Sequence, residues 1–255
     1  MPATSSGKRQ QEHYQEIHGD YGAHYYDTAS LAYRDRFILP VLLQGLDLRN
    51  RRVADIASGA GYTSLALMRL FPGVEPEGFD ISPAACAEYE KLVGRPAHQV
   101  DLVKPLAVAE PFDVAIVIGG LHHCVEDMDR VIANLAALIK KGGFLLLFEP
   151  NKTFLLQQLR ALWYKADRYF DAETEAALDH DDLLARAGSA FALRSVRYLG
   201  GPAYFLILNS LILRIPRAWK LPAMAPLFAA EAMVNKLPGR RLFPAFAAQW
   251  VRQDR

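Results

Sequence analysis

The sequence predicts an α/β protein built on a doubly wound, mostly parallel sheet, and three features lead there. First, residues 51 to 64 read as a buried strand over Val53 to Ala57, a tight glycine-containing turn at Ser58-Gly59-Ala60-Gly61, and a helix whose apolar periodicity begins at Leu65. Second, short apolar runs alternate with helical stretches as far as Phe148. Third, Asp55, Asp80 and Asp101 stand at three consecutive strand ends, the edge along which open α/β sheets bind ligands.

The 255 residues suffice for one large α/β domain or a domain with an added lid. A formal net charge of +1 gives no global field for nucleic acid or an acidic partner. Cys86 and Cys124 have neither metal spacing nor a disulfide framework, which suits a reducing cytoplasm. Residues 1 to 12 are polar, without the apolar core of a secretory signal, and are expected to be disordered.

Tyrosine is dense before the first strand, at Tyr14, Tyr21, Tyr25, Tyr26 and Tyr33, and surface packing accounts for most of these rings. Phe37, Ile38, Val41, Leu42 and Leu46 then follow at helical spacing and predict a helix against the sheet. Past the glycine turn, the next helix stops at Phe71-Pro72-Gly73. Residues 75 to 79 form a second strand ending at Asp80-Ile81-Ser82-Pro83, with Ser82 as cap and Pro83 as first residue of a helix to Leu92. Capping by Ser82 leaves Asp80 available about 20 residues beyond Gly59, the interval at which a carboxylate meets a ribose bound over the turn. A third strand over residues 97 to 100 leads into Asp101-Leu102. The apolar run from Phe112 to Ile118 predicts a strand buried on both faces, followed by Gly119-Gly120-Leu121-His122-His123.

Val131, Leu135, Leu138 and Ile139 share one face of a helix over residues 128 to 139, with Lys140 and Lys141 in its last turn and Gly142-Gly143 as the stop. Residues 144 to 148 form a fifth strand ending in Glu149-Pro150-Asn151. A helix begun near Thr153 carries Leu155, Leu159, Leu162 and Trp163 on one side, and another over residues 182 to 187 ends at Gly188 before a sixth strand, residues 191 to 199. Residues 204 to 215 are almost wholly apolar but fall short of the roughly 20 needed to span a bilayer. Pro216, Pro222, Pro226 and Pro238 are expected to cut the chain beyond Ile215 into short helices, one over residues 227 to 237. Residues 245 to 252 suit a last strand, antiparallel and at the sheet edge.

The stretch Asp55-Ile56-Ala57-Ser58-Gly59-Ala60-Gly61 resembles the glycine-rich signature of class I S-adenosylmethionine (SAM) dependent methyltransferases, with Ala57 where the family has the first of three alternating glycines. The strand end at Gly119, the run Ile139-Lys140-Lys141-Gly142-Gly143-Phe144 and the segment Phe148-Glu149-Pro150-Asn151 resemble the same family, in its small-molecule and lipid type 11/12-like branch. The likeness spans roughly residues 20 to 151 and implies a seven-stranded Rossmann-like methyltransferase sheet with helices on both faces. On that reading residues 13–199 are the SAM-binding core, 200–244 an apolar helical lid or insertion, and 245–255 the last strand. The resemblance implies that Asp80, with Ile81 beside it, holds the ribose, and that Asp101 and Leu102 receive the adenine. It places Ala57, Ser58, Gly59 and Gly61 beside the methionine part, has Asp55 orient that turn and the cofactor's amino group, partly through water, and sets Gly119 beneath the transferred methyl. The segment His24-Tyr25-Tyr26-Asp27 resembles the family's aromatic N-terminal cover, with Tyr21 and Tyr25 as the candidates to fold over the cofactor.

His122 and His123 are the candidate bases, since a hydroxyl acceptor must lose a proton and an unperturbed imidazole titrates near pH ~6.5. Positioning the loop is the favoured alternative for this pair. Being adjacent, with no third ligand at a recognisable spacing, they imply no metal. Glu149 faces either the acceptor or the loop, and the loop is preferred. Residues 200 to 240 read either as extra core or an oligomer interface, or as an apolar lid over the acceptor resting on a membrane, rimmed by Arg214, Arg217, Lys220, Arg240 and Arg241. The expected activity is SAM-dependent methyl transfer to a small, hydrophobic or lipid-linked acceptor, with oxygen favoured, in the cytoplasm or peripherally at a membrane, without nucleic acid. An NAD(P)-dependent oxidoreductase is the runner-up, because Gly59, Gly61 and Asp80 also suit its fingerprint. Its third glycine would fall at Ser64, and it gives no reason for Asp55 or Asp101. A non-catalytic SAM-binding partner protein is the alternative from another class.

Overall fold

The computed structural model describes residues 24–106, 110–158, 160, 176–211 and 213–254. Tyr14, Tyr21, the terminal residues 1–12 and most of the helix expected beyond Thr153 lie outside them. The strands are β1 (Arg52–Ile56), β2 (Glu75–Asp80), β3 (Ala97–Gln99), β4 (Phe112–Ile118), β5 (Ile139–Pro150), β6 (Phe191–Leu199) and β7 (Ala245–Arg252). They form one sheet in the order β3-β2-β1-β4-β5-β7-β6. Pairing is parallel from β3 through β5, and β7 runs antiparallel to both β5 and β6.

The pleat explains why the strands are continuously apolar. Val53, Val114, Ile116, Leu146 and Ala247 point to one face, where they join the core cluster under the first helices. Their neighbours Ala54, Ala115, Val117, Leu145 and Trp250 point to the other face and a second cluster. Helices covering the two faces include α1 (Thr28–Tyr33), α2 (Leu39–Leu42), α3 (Tyr62–Leu70), α4 (Pro83–Val93), α5 (Met128–Leu138), α6 (His180–Ala187) and α7 (Arg217–Val234). A π-helical turn, Arg34–Ile38, joins α1 to α2. Ser82 caps α4 by accepting from the Ala85 N–H, with Pro83 at the first helical position.

Three expectations are corrected. Lys140 and Lys141 belong to β5 and not to the last turn of α5. Ile139 already pairs with Phe112, the next partner pair is Val114 and Phe144, and the residues between form an irregularity from which Lys140 Nζ reaches Asp113 Oδ1 at 3.0 Å. The prolines do not divide the region after Pro216, for α7 is one 18-residue helix with Pro222 and Pro226 inside it. Both prolines lie on its exposed side, where the carbonyls they leave unpaired meet water, while Phe228 and Glu231 on the opposite side are buried. Finally, β7 is not the edge. Its residues from Ala245 to Trp250 are buried between β5 and β6, and the half-exposed β6 is the edge strand.

Candidate active site

The turn after β1 carries the site. Ala57, Gly59 and Gly61 have φ of +51°, +52° and +89°, so alternate residues adopt the left-handed conformation that spares glycine and strains alanine. A Cβ on Gly59 would stand 2.5 Å from the Tyr26 hydroxyl, and one on Gly61 would stand 2.4 Å from Val93 and 2.6 Å from Tyr89. Gly59 thus keeps the turn open beneath Tyr26, and Gly61 lets α3 pack on α4.

Each strand-end aspartate has a distinct environment. Asp55 is buried and accepts from the Ser64 N–H at 3.2 Å and hydroxyl at 2.7 Å, while Tyr89 donates to that hydroxyl. Burial pushes its carboxyl up to about 7, against the opposing bonds from Ser64 and the Arg34 charge. Asp55 therefore fixes the start of α3 from behind the turn. Asp80 accepts from the Gly59 N–H through Oδ2 and from the Ser82 N–H through Oδ1, both at 2.9 Å, so its carboxylate is held at the cleft edge. Asp101 accepts from the Val103 N–H at 3.1 Å and pairs with Lys104 at 3.2 Å.

The loop after β4 is held by Glu149. This fully buried carboxylate accepts from the N–H groups of Gly120 and Leu121 at 2.9 and 2.7 Å, and lies 2.8 Å from His122 Nδ1. His122 is thereby turned toward the sheet. His123, its ring 3.8 Å away centroid to centroid, lines the cleft together with Gly119.

A roof closes the other side. Tyr26 stacks on Tyr62 at 4.6 Å with Arg34 near its ring. Lys220 of α7 is buried and paired with Asp27 at 2.6 Å, and it also donates to the His24 carbonyl at 2.7 Å and Ser30 hydroxyl at 3.0 Å. It is not a rim residue, because burial of its head required three acceptors drawn from the N-terminal segment. Further along the helix and deeper in the core, Glu231 accepts from Tyr33 Oη at 2.5 Å and from the N–H groups of Gly201 and Ala203 at 2.8 Å. Burial, then the Glu231 charge, raises the Tyr33 phenol well above its ordinary value.

Sheet edge and roof enclose a cleft of about 950 Å³. Of the residues singled out from sequence, Ala57, Gly59, Asp80, Ile81, Asp101, Leu102, Gly119 and His123 line it. Asp55, Ser58, Gly61 and His122 stand behind that surface. Tyr25 is directed elsewhere, donating to Asn209 at 3.1 Å. Its neighbour Tyr26 lies over Gly59 instead. The aromatic segment was legible, but the ring that reaches the turn was decided by the contact with Tyr62. Thr28, Ala29, Ala218 and Leu221 also line the cleft, and no local motif marks them. Among the described residues no cluster of His, Cys, Asp and Glu is arranged to hold a metal ion.

Residues 54–145 match the model of a family described as a methyltransferase domain. No curated protein sequence matches the chain. Among solved structures, a SAM-dependent methyltransferase from Thermotoga maritima is similar with a TM-score of 0.63 and 15% identity, over 95% of this chain and 99% of that one. The N-methyltransferase NodS from Bradyrhizobium japonicum, in complex with S-adenosyl-l-homocysteine, gives 0.57 and 12% over 94% and 98%. The cyclopropane synthase MmaA2 from Mycobacterium tuberculosis gives 0.60 and 16% over 90% and 88%. At these identities the structures establish the fold, a seven-stranded Rossmann-like methyltransferase sheet. The family match over residues 54–145 and this fold together support a SAM-dependent methyltransferase.

Proposed function

We propose that the protein transfers the methyl group of SAM to an oxygen of a small, hydrophobic or lipid-linked acceptor, working in the cytoplasm and peripherally at a membrane. The observation that carries this reading is that one continuous cleft is polar along the strand ends, at Gly59, Asp80 and Asp101, and apolar at Ala29, Ile118, Ala218 and Leu221, with His123 also on its wall.

The residues present suit the cofactor. Two carboxylate oxygens on the rigid end of β2 match a ribose diol, and Asp101 is an acceptor for an exocyclic amine, with Ile81 and Leu102 offering apolar contact to the base. The open turn at Gly59 admits the methionine part close to the backbone. SAM when bound supplies an activated methyl on a cationic sulfur, so the chain's own task is positioning the acceptor and excluding water. His123 takes the acceptor's hydroxyl proton, and Glu149 with His122 holds the loop that presents it.

Calorimetric titration with S-adenosylhomocysteine tests the cofactor site, with NAD as the control ligand. Wild type should bind the sulfur ligand and ignore NAD, and Asp80→Ala should weaken binding by roughly ten- to a hundredfold through loss of charge-assisted bonds. Binding that Asp80→Ala leaves untouched would sink the ribose assignment. Given a hydroxyl acceptor, His123→Ala should lower kcat by about 10²- to 10⁴-fold with homocysteine-ligand affinity retained. Unchanged kcat would remove the base role. A protein that binds SAM but turns over no hydroxyl, amine or carbon acceptor would favour the non-catalytic reading.

A further inference from the structure

Helix α7 is built inside out. Of its three charged residues, Lys220 and Glu231 are buried, whereas Trp219 is 69% exposed and Met233 71% exposed. Pro222, Ala225, Pro226 and Ala229 continue the exposed side between them, and Leu237 extends it beyond the helix end at 52% exposure. From Ala218 to Asn235 this side carries no exposed charge. Single exposed apolar residues are ordinary on a protein surface, but a helix that buries two of its three charges and shows its Trp and Met along several turns is not.

The charges that do reach solvent here are of one sign. Every exposed charged residue from Arg214 to Arg241 is a cation: Arg214, Arg217, Lys236, Arg240 and Arg241. Of these, Arg240 is tied to Asp181. They flank the apolar side at its two ends. The N-terminal turn of the helix also forms cleft wall, at Ala218 and Leu221. Among the described residues no helix is long and apolar enough to cross a membrane, and α7, with two prolines, lies across the surface of the fold.

We infer that α7 is an interfacial helix that seats the protein on an anionic lipid surface, its Trp219 to Leu237 side in the headgroup boundary and its flanking cations on the phosphates, with the cleft mouth facing the lipid. An apolar stripe flanked at both ends by cations of its own segment, of which Arg240 is matched by a neighbouring carboxylate, Asp181, is the chemistry of a peripheral amphipathic anchor, and Trp favours the boundary itself. A second copy related by a two-fold axis would set cation against cation, which argues against self-association as the occupant. This inference deepens the proposed function by naming where a lipid-like acceptor enters, and it rests on that reading for the acceptor only.

The test is co-sedimentation of the full chain with vesicles of equimolar phosphatidylglycerol and phosphatidylcholine, against vesicles of phosphatidylcholine alone. Wild type should bind the anionic vesicles and not the neutral ones. Trp219→Ser with Met233→Ser should lower partitioning at least tenfold. Lys236→Glu with Arg241→Glu should lower it by about fivefold or more per residue. Titration of each variant with S-adenosylhomocysteine, expected to match wild type, shows that folding and the cofactor site survive. Equal binding to both vesicle types, or binding unaffected by the double serine variant, overturns the inference. So does a dimer in analytical ultracentrifugation that the double serine variant dissociates. Loss of cofactor binding in wild type would sink the proposed function and leave the vesicle result standing on its own.

Discussion

Glu149 at the end of β5 and Glu231 in α7 use the same chemistry in two different regions. Each is a carboxylate with no exposed surface that gathers backbone N–H groups from a distant segment and binds one titratable side chain, His122 in one case and Tyr33 in the other. Glu149 sits on a strand whose register is set by seven pairs with β7, so its loop is fixed by a framework that exists without it. Glu231 sits on a helix that holds two prolines, and it joins that helix to α1 and to the chain after β6. The sheet side of the site is therefore positioned by strand pairing and trimmed by polar contacts. The roof depends on buried polar contacts for its place.

The largest effect should come from removing the roof's carboxylate. Glu231→Ala strands three N–H donors, of Gly201, Ala203 and Tyr204, and the Tyr33 phenol at ~1–3 kcal/mol each, so a loss of at least about 4 kcal/mol is expected by urea unfolding. Glu231→Ala that unfolds like wild type would erase the contrast between the two regions.

The next effect is a pH dependence confined to the sheet side. The Asp55 carboxyl keeps its proton to about 7 when folded, against an ordinary 3.8. Between those values the unfolded chain sheds the proton while the folded one retains it, so stability falls as pH rises through the window and levels off above about 7. Asp55→Asn should flatten that decline, by as much as ~2–4 kcal/mol across the window. Parallel stability profiles for wild type and Asp55→Asn would refute the assignment. The smallest effect tests the turn itself. Ala57→Gly relieves a left-handed alanine and should raise stability by ~1 kcal/mol, read as a higher Tm. A fall in Tm would mean that the methyl contact of Ala57 outweighs its backbone strain.

Much of the sheet side was legible because its signals are local. Asp55, Gly59 and Gly61 mark a strand, turn and helix within a few residues, and Asp80 and Asp101 end the next two strands by the same rule. The preferred loop role of Glu149 followed from its place at a strand end. The roof was not legible in that way. Prolines at 222 and 226 signalled breaks, yet the burial of Phe228 and Glu231 outweighs two missing helix bonds. Lys220 looked like a surface cation until Asp27, His24 and Ser30, nearly two hundred residues away, were brought to it. The tyrosine over the turn was likewise a choice among neighbours that the stacking of Tyr26 on Tyr62 decided.

By itself, then, the sequence determined the alternation of strands and helices, the glycine turn and the acidic strand ends, because hydrophobic period, φ preference and turn chemistry all act over a few residues. Only the tertiary structure decided that β7 lies inside the sheet, that α7 is continuous with Lys220 and Glu231 buried, and which of His122 and His123 faces the cleft. Those outcomes depend on partners far apart in the chain, and no local preference encodes which of them will meet.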